Sequence, residues 1–193
     1  MFSVRNTLGT LAFVSILALA ACSSHPDGAD KQPSSSTTAT ASTGMVKALT
    51  ADQVNVHLTL QGEPALSADG QNIAVTVSLK NDGTTVLSSA GKFPVNLGAH
   101  SVDGSGQIIN RDLARALLPD IAPGTTANVT ILLPLVGTIN HSAQILPVQE
   151  NVAWFDAWGT KPVTVGPFSS CSNAADGKVC DANGKPLAPT AAH

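Results

Sequence analysis

Residues 150–159, ENVAWFDAWG, hold both tryptophans of this chain and one of its five phenylalanines. In a chain that is only 4% aromatic, such a cluster suits either the stacking of a flat ligand such as a sugar ring or the packing of a core. Alternation along an extended segment places Val152 and Trp154 on one face and Phe155 on the other. We therefore expect Trp154 to be a core residue, and Trp158, together with Phe155, to be the aromatic site for a ligand.

An acidic residue in the same stretch raises the question of catalysis. Glycoside hydrolysis needs two carboxyl groups about 5 to 10 Å apart in one cleft. Glu150 is the strongest internal candidate, but an ion pair with Arg111 or Arg115 is the simpler role for a carboxylate beside Trp154. No Gly-x-Ser-x-Gly motif for a serine nucleophile occurs either. The sequence therefore predicts a structural role for Glu150 and its arginine, and a protein that is not an enzyme.

The five histidines show no metal-binding pattern. They stand at positions 25, 57, 100, 141 and 193, without the spacing that a zinc site requires. His100 follows an apolar face of a predicted strand, where a hydrogen-bonded structural role is expected. The formal net charge is −3 and no basic cluster is present, so nucleic acid is not an expected partner. We predict no metal and no cofactor.

The N-terminus has the composition of a secretory signal. Arg5 precedes an uncharged apolar run over residues 8–21, which is shorter than the roughly 20 residues of a membrane span. The motif LAAC, ending at Cys22, resembles the lipobox of bacterial lipoproteins, in which the signal is removed and the cysteine is acylated. In Gram-negative lipoproteins the residue after the cysteine influences sorting, so the resemblance implies that Ser23 directs the chain to the outer membrane. The lipid bilayer, reached through acylated Cys22, is therefore an expected partner.

The remaining cysteines, Cys171 and Cys180, are expected to form a disulfide because a secreted chain meets an oxidising compartment. The segment SNAADGKV between them contains an Asp-Gly turn signal. We expect this bond to staple a flexible C-terminal tail rather than the core.

Composition along the chain predicts four parts. Residues 1–21 are the signal peptide, and residues 22–48 are a polar, lipidated and disordered tether. Residues 49–168 are a β-sandwich domain, and residues 169–193 are the disulfide-looped tail.

The domain is expected to be all-β. Period-two patterns such as VNVHLTL, NIAVTVSLKN and NVTILLPL alternate apolar and polar residues between turns rich in Gly, Pro, Asn and Asp. These patterns predict an antiparallel β-sandwich of about seven strands. The stretch RDLARALLPD, residues 111–120, fits either a short helix or an extended crossover, and Pro119 and Pro123 favour the crossover.

A longer pattern links PVNLGAH, the turn DGSG, the pair Leu118-Pro119, the turn Pro123-Gly124 and the segment VQENVAWF. Residues 50–166 thereby resemble the immunoglobulin-like modules appended to bacterial surface-polysaccharide glycosyltransferases and methyltransferases. Such modules often have glycine where Asn151 stands. The resemblance implies an immunoglobulin-like sandwich that works near glycans and is not catalytic.

Three functions follow as hypotheses. The first is an anchored, non-catalytic binding module that is associated with glycan in the envelope. The second is an accessory lipoprotein that contacts envelope proteins, and the third, with the least support, is a hydrolase of cell-wall or surface polymers.

Overall fold

The computed structural model describes residues 44–171 and 178–190. The signal segment, Cys22 and most of the predicted tether lie outside these residues. The strands are β1 (Val56–Leu66), β2 (Asn72–Asn81), β3 (Val95–Val102), β4 (Ile108–Leu117), β5 (Thr126–Pro134), β6 (Ser142–Gln149), β7 (Ala153–Trp154), β8 (Val163–Val165), β9 (Ser169–Ser170) and β10 (Val179–Cys180). A single turn of helix, α1 (Leu135–Thr138), and two 3-10 helices, Ala51–Gln53 and Phe155–Trp158, complete the described elements.

Two antiparallel sheets face each other across the core. The three-stranded sheet has the order β1-β2-β5, and the five-stranded sheet has the order β4-β3-β6-β7, with β8 also paired to β6. Strands β9 and β10 form a separate hairpin. This arrangement confirms the predicted all-β, sandwich-like fold, although the described residues contain ten strands rather than about seven.

Alternating apolar residues of both sheets build the core, as the period-two patterns predict. The inward side chains include Ile73, Val75, Val77, Leu79, Val129, Ile131 and Leu133 from the three-stranded sheet and Val95, Leu97, Ala99, Ala143 and Ile145 from the five-stranded sheet. Burying this set is the main source of stability for a domain with so few charged residues.

Residues 111–117 belong to strand β4 and are neither a helix nor an unpaired crossover. Leu117 lies opposite Asn96 of β3. Leu113 is buried whereas Leu117 is 77% exposed, so the leucines that suggested a helical stripe do not share one face.

The closing segment, predicted as one continuous strand, is a hairpin. Strand β6 ends at Gln149, and the Val152 amide donates a hydrogen bond to the Gln149 carbonyl at 3.0 Å. Asn151 has φ of 61°, a left-handed conformation that asparagine tolerates better than most residues and glycine adopts freely. Trp154 therefore lies across the hairpin from Val148 rather than further along the same strand.

The domain begins earlier than predicted. Residues 44–49 form an N-terminal strap, in which Met45 and Leu49 are each only 5% exposed. The side chain of buried Gln149 accepts a hydrogen bond from the Leu49 amide at 2.7 Å and donates to the Lys47 carbonyl at 3.2 Å and to the Phe93 carbonyl at 2.9 Å. One buried amide thus fixes the strap to the end of β6.

The disulfide between Cys171 and Cys180 is confirmed, but residues 178–190 are not a free tail. The Leu66 amide donates to the Ala188 carbonyl at 2.8 Å, and the Thr190 amide donates to the Leu66 carbonyl at 2.7 Å. Val179 belongs to the core cluster. The disulfide therefore closes a hairpin that packs on the domain, which corrects the prediction of a flexible segment for these residues.

Candidate functional site

A glycine in the middle of β3 makes room for a tryptophan on the outer face of the five-stranded sheet. Gly98 alternates with Leu97 and Ala99, whose side chains enter the core, so its position faces outward. A Cβ atom at Gly98 would lie 2.6 Å from Cη2 and Cζ3 of Trp154. Because Trp154 stands on β7 and β6 lies between β7 and β3, the indole reaches across β6 to the glycine, a close approach typical of strand glycines.

Trp154 is flanked by two further side chains on this face. The centroid of the His100 ring lies 3.8 Å from that of the indole, and the guanidinium carbon of Arg115 lies 4.5 Å from the indole centroid. The second contact is a cation–π interaction. Trp154 is therefore not the core anchor predicted from alternation, because the hairpin turn places it on the outer face, where it is partly exposed.

Arg115 joins two carboxylates beside the indole. Its Nε donates to Oε1 of Glu150 at 3.0 Å, and its Nη2 donates to Oδ1 of Asp112 at 2.5 Å. The same Glu150 oxygen accepts a hydrogen bond from Nδ2 of Asn96 at 2.9 Å. The arginine that pairs with Glu150 is thus Arg115 and not Arg111, and the pair lies along the sheet surface rather than across the sandwich.

His100 supports this cluster from below. It is 1% exposed, and its Nδ1 donates to the Arg111 carbonyl at 2.8 Å. A carbonyl oxygen only accepts, so the neutral ring carries its proton on Nδ1, and the buried Nε2 has no hydrogen-bond partner within residues 44–171 and 178–190.

The pKa of His100 is lowered from its ordinary value, mainly because burial disfavours the charged ring. The hydrogen bond to the Arg111 carbonyl and the charge of Asp156 oppose this shift, and the charges of Arg111 and Arg115 reinforce it. Burial therefore favours the neutral form of the ring beneath the indole. Arg111 contributes its backbone carbonyl, and not its side chain, as the hydrogen-bond partner of His100.

The aromatic ligand site predicted at Phe155 and Trp158 is not present as expected. Phe155 is fully buried in the core, because the 3-10 helix Phe155–Trp158 inserts between β7 and β8 and turns this side chain inward. Trp158 is partly buried against the same core, with its ring centroid 5.2 Å from that of Phe155. Phe155 therefore offers no surface to a ligand, and Trp158 offers only part of its own.

We define the Trp154 site as Asp112, Arg115, Glu150 and Trp154, which border a shallow depression at the β6–β7 turn, together with Asn96, which donates to Glu150. The guanidinium covers the indole, so a sugar ring could not stack there without displacing Arg115. Oε2 of Glu150 and Oδ2 of Asp112 accept no hydrogen bond within the described residues. These oxygens and the guanidinium are the groups that could bind hydroxyl or amino groups of a ligand.

Asn96 and Gly98 were not among the residues predicted for a site. A glycine inside the alternating pattern of VNLGAH was the available signal, since a glycine in a strand interior marks a close approach. Spacing alone did not reveal which side chain would approach it.

No protein-family model and no curated protein matches this chain. Among residues 44–171 and 178–190, every helix is too short or too polar to cross a bilayer. Within the same ranges, no group of three or more His, Cys, Asp or Glu side chains is arranged to hold a metal ion.

Proposed function

We propose that this chain is a lipid-anchored protein of the bacterial envelope whose β-sandwich binds a glycan at the Trp154 site without catalysing its cleavage. The LAAC motif at Cys22 supports the anchor. The resemblance of residues 50–166 to immunoglobulin-like modules of surface-polysaccharide enzymes supports the association with glycan and suggests the same sandwich type.

One observation carries the binding proposal: the guanidinium of Arg115 lies over the indole of Trp154 and binds two carboxylates at the edge of a single depression, and one of these carboxylates also accepts a hydrogen bond from the Asn96 amide. A few convergent polar groups beside an aromatic ring are typical of small-molecule sites. One positive charge against two negative charges leaves the site with a charge of about −1. Neutral or amino-bearing sugars are therefore favoured over uronates and phosphorylated sugars.

The same geometry disfavours hydrolysis. A glycosidase needs one carboxylic acid that donates a proton to the leaving group. Glu150 and Asp112 both pair with the guanidinium of Arg115. Both carboxyl groups therefore serve as hydrogen-bond acceptors for the guanidinium, and neither is positioned as a separate proton donor.

Tryptophan fluorescence tests the binding site directly. A Trp158→Phe variant leaves Trp154 as the only tryptophan, and its emission is followed during titration with neutral, amino-bearing and uronate polysaccharides. We expect a saturable change with the first two classes, weakened at least about tenfold by Arg115→Ala, since loss of a charge-assisted hydrogen bond costs about 1.5–3 kcal/mol.

Glu63→Gln is the matched control, because Glu63 is also ion-paired, to Lys185 at 2.6 Å, but lies on β1 of the other sheet. It should leave the titration unchanged. If no polysaccharide alters the emission, sugar binding is wrong and an accessory role with protein partners is favoured.

The anchor is tested separately by labelling growing cells with radioactive palmitate. The wild-type chain should carry the label and sediment with membranes, whereas Cys22→Ser should do neither. An unlabelled wild-type chain in the soluble fraction would refute the anchor without touching the glycan proposal.

A further inference from the structure

An exposed apolar groove lies where the chain enters the domain. Val46 is 61% exposed and Val86 is 40% exposed, and both line a groove together with Met45, Leu49 and Thr85. We name these five residues the strap groove. Two large solvent-facing valines in one concave surface are suited to contact with an apolar phase.

The strap groove is part of a fixed backbone. The Met45 amide donates to the Ala90 carbonyl at 2.7 Å, and the Phe93 amide donates to the Met45 carbonyl at 2.9 Å. At the other end of the strap, the Leu49 amide is held by the buried side chain of Gln149. Val46 is therefore presented at a defined position, so that little ordering entropy opposes its burial against a surface.

Basic side chains flank this groove. Lys47 is exposed next to Val46, and Lys92 is exposed next to Gly91, which forms an isolated β-bridge with Met45. The one acidic residue of the adjoining 3-10 helix is Asp52. An anionic bilayer has negatively charged headgroups above an apolar interior. Lysines around exposed valines complement such a surface in both charge and hydrophobicity.

The chain that precedes the strap limits what this groove can meet. Residues 23–43 separate the predicted acylation site at Cys22 from the strap, and the tether predicted from their composition would have an rms span of about 25 Å. A bilayer that holds Cys22 would on average lie about this far from the groove, close enough for the groove to reach it. We propose that the strap groove docks on the anionic lipid surface to which the chain is anchored, an inference that rests on the proposed lipid anchor.

Site-specific fluorescence quenching tests this docking. The mature lipidated chain is placed in vesicles of phosphatidylethanolamine and phosphatidylglycerol that contain a lipid with a quencher in its headgroup region. A fluorophore is attached at Val46→Cys or, as the matched control, at Val136→Cys. Val136 is fully exposed and lies in α1, shortly before the first residues of β6 along the chain. The strap is held by Gln149, the last residue of β6. With Cys22 acylated and Cys171 bonded to Cys180, each new thiol is the single labelling site.

We expect quenching at position 46 to exceed that at position 136 at least about threefold, because interfacial burial is confined to the docked side. Adding Lys47→Glu and Lys92→Glu should remove the difference, and reversing the distal charge with Lys185→Glu should preserve it. Equal quenching at both positions in a chain that sediments with the vesicles would overturn the docking alone. A chain that stays out of the vesicle pellet would refute the lipid anchor and the docking together.

Discussion

The two sheets differ most on their outer faces. On the three-stranded sheet, the outward residues of the central strand β2, such as Thr76 and Ser78, are partly exposed, and their β5 neighbour Thr130 is exposed. On the five-stranded sheet, the outward residues His100 and Leu146 are 1% and 0% exposed. One sheet therefore has an open outer face and the other has a covered one.

The strand sequences carry this difference. NIAVTVSLKN alternates between apolar and small polar residues, as expected for a strand with one face in water. VNLGAHSV and AQILPVQ instead place Val102, Leu146 and Val148 at outward positions, where all three are buried, as in strands covered on both faces. We expect substitutions on the open face to change the free energy of unfolding little. We expect the stability of the covered face to depend on the indole of Trp154. The following substitutions test this contrast.

Trp154→Ala should have the largest effect. It removes the ring that contacts Gly98, His100 and Arg115, and we expect a loss of about 2–3 kcal/mol in the free energy of unfolding, below the 3–5 kcal/mol typical of a fully buried tryptophan because this one is partly exposed. Urea denaturation measures the change. A loss under about 0.5 kcal/mol, the range of ordinary surface substitutions, would show that the indole does not stabilise this face.

Gly98→Ala should have the next largest effect. The new methyl group would lie 2.6 Å from two indole carbons, and overpacking of this kind costs about 1–3 kcal/mol. In a Trp154→Ala background the clash disappears, so the same change should be nearly neutral. Equal costs in the two backgrounds would contradict the contact between Gly98 and Trp154.

The sequence predicted most strands of both sheets, but it did not predict that the closing segment, residues 148–155, turns back as a hairpin. Alternation in NIAVTVSLKN fixed the inward set Ile73 to Leu79 because a period of two has only one consistent inward face. In VQENVAWF the same period continues through a turn at residues 150–152, where Asn151 takes a left-handed conformation. Nothing in the spacing marked this reversal, and the roles of Trp154 and Phe155 were exchanged as a result.

The candidate site was partly readable. Glu150 and an arginine were expected to pair, but the choice of Arg115 depends on the register of β3 and β4, which places Arg115 opposite Gly98. Register depends on pairing and packing between strands, so the alternation within one strand does not reveal which residues of its neighbour lie opposite. Gly98 carried the signal that a bulky group approaches, without naming the group.

Acid should weaken the covered face through His100. Its folded pKa is lowered by burial, so the unfolded chain binds a proton more readily, and stability falls as pH drops below about 6.5 toward the folded pKa. The slope from this one proton is at most about 1.4 kcal/mol per pH unit. His100→Gln should reduce the slope of the unfolding free energy in that window and leave the slope above pH 7 unchanged. Identical slopes for the variant and the wild type would contradict this role.

Thr76→Val should have the smallest effect. Thr76 shares a hydrogen bond of 2.8 Å with Thr130 on the open face, and valine keeps the β-branched shape that suits a strand. We expect a change within about 0.5 kcal/mol by urea denaturation, as for other surface substitutions. Thr76 and Gly98 are both outward residues near the middle of a central strand, and each substitution alters one small group. A cost for Thr76→Val that matched the cost of Gly98→Ala would mean that the open face is also covered, and sedimentation of the wild-type chain would then show whether a second copy covers it.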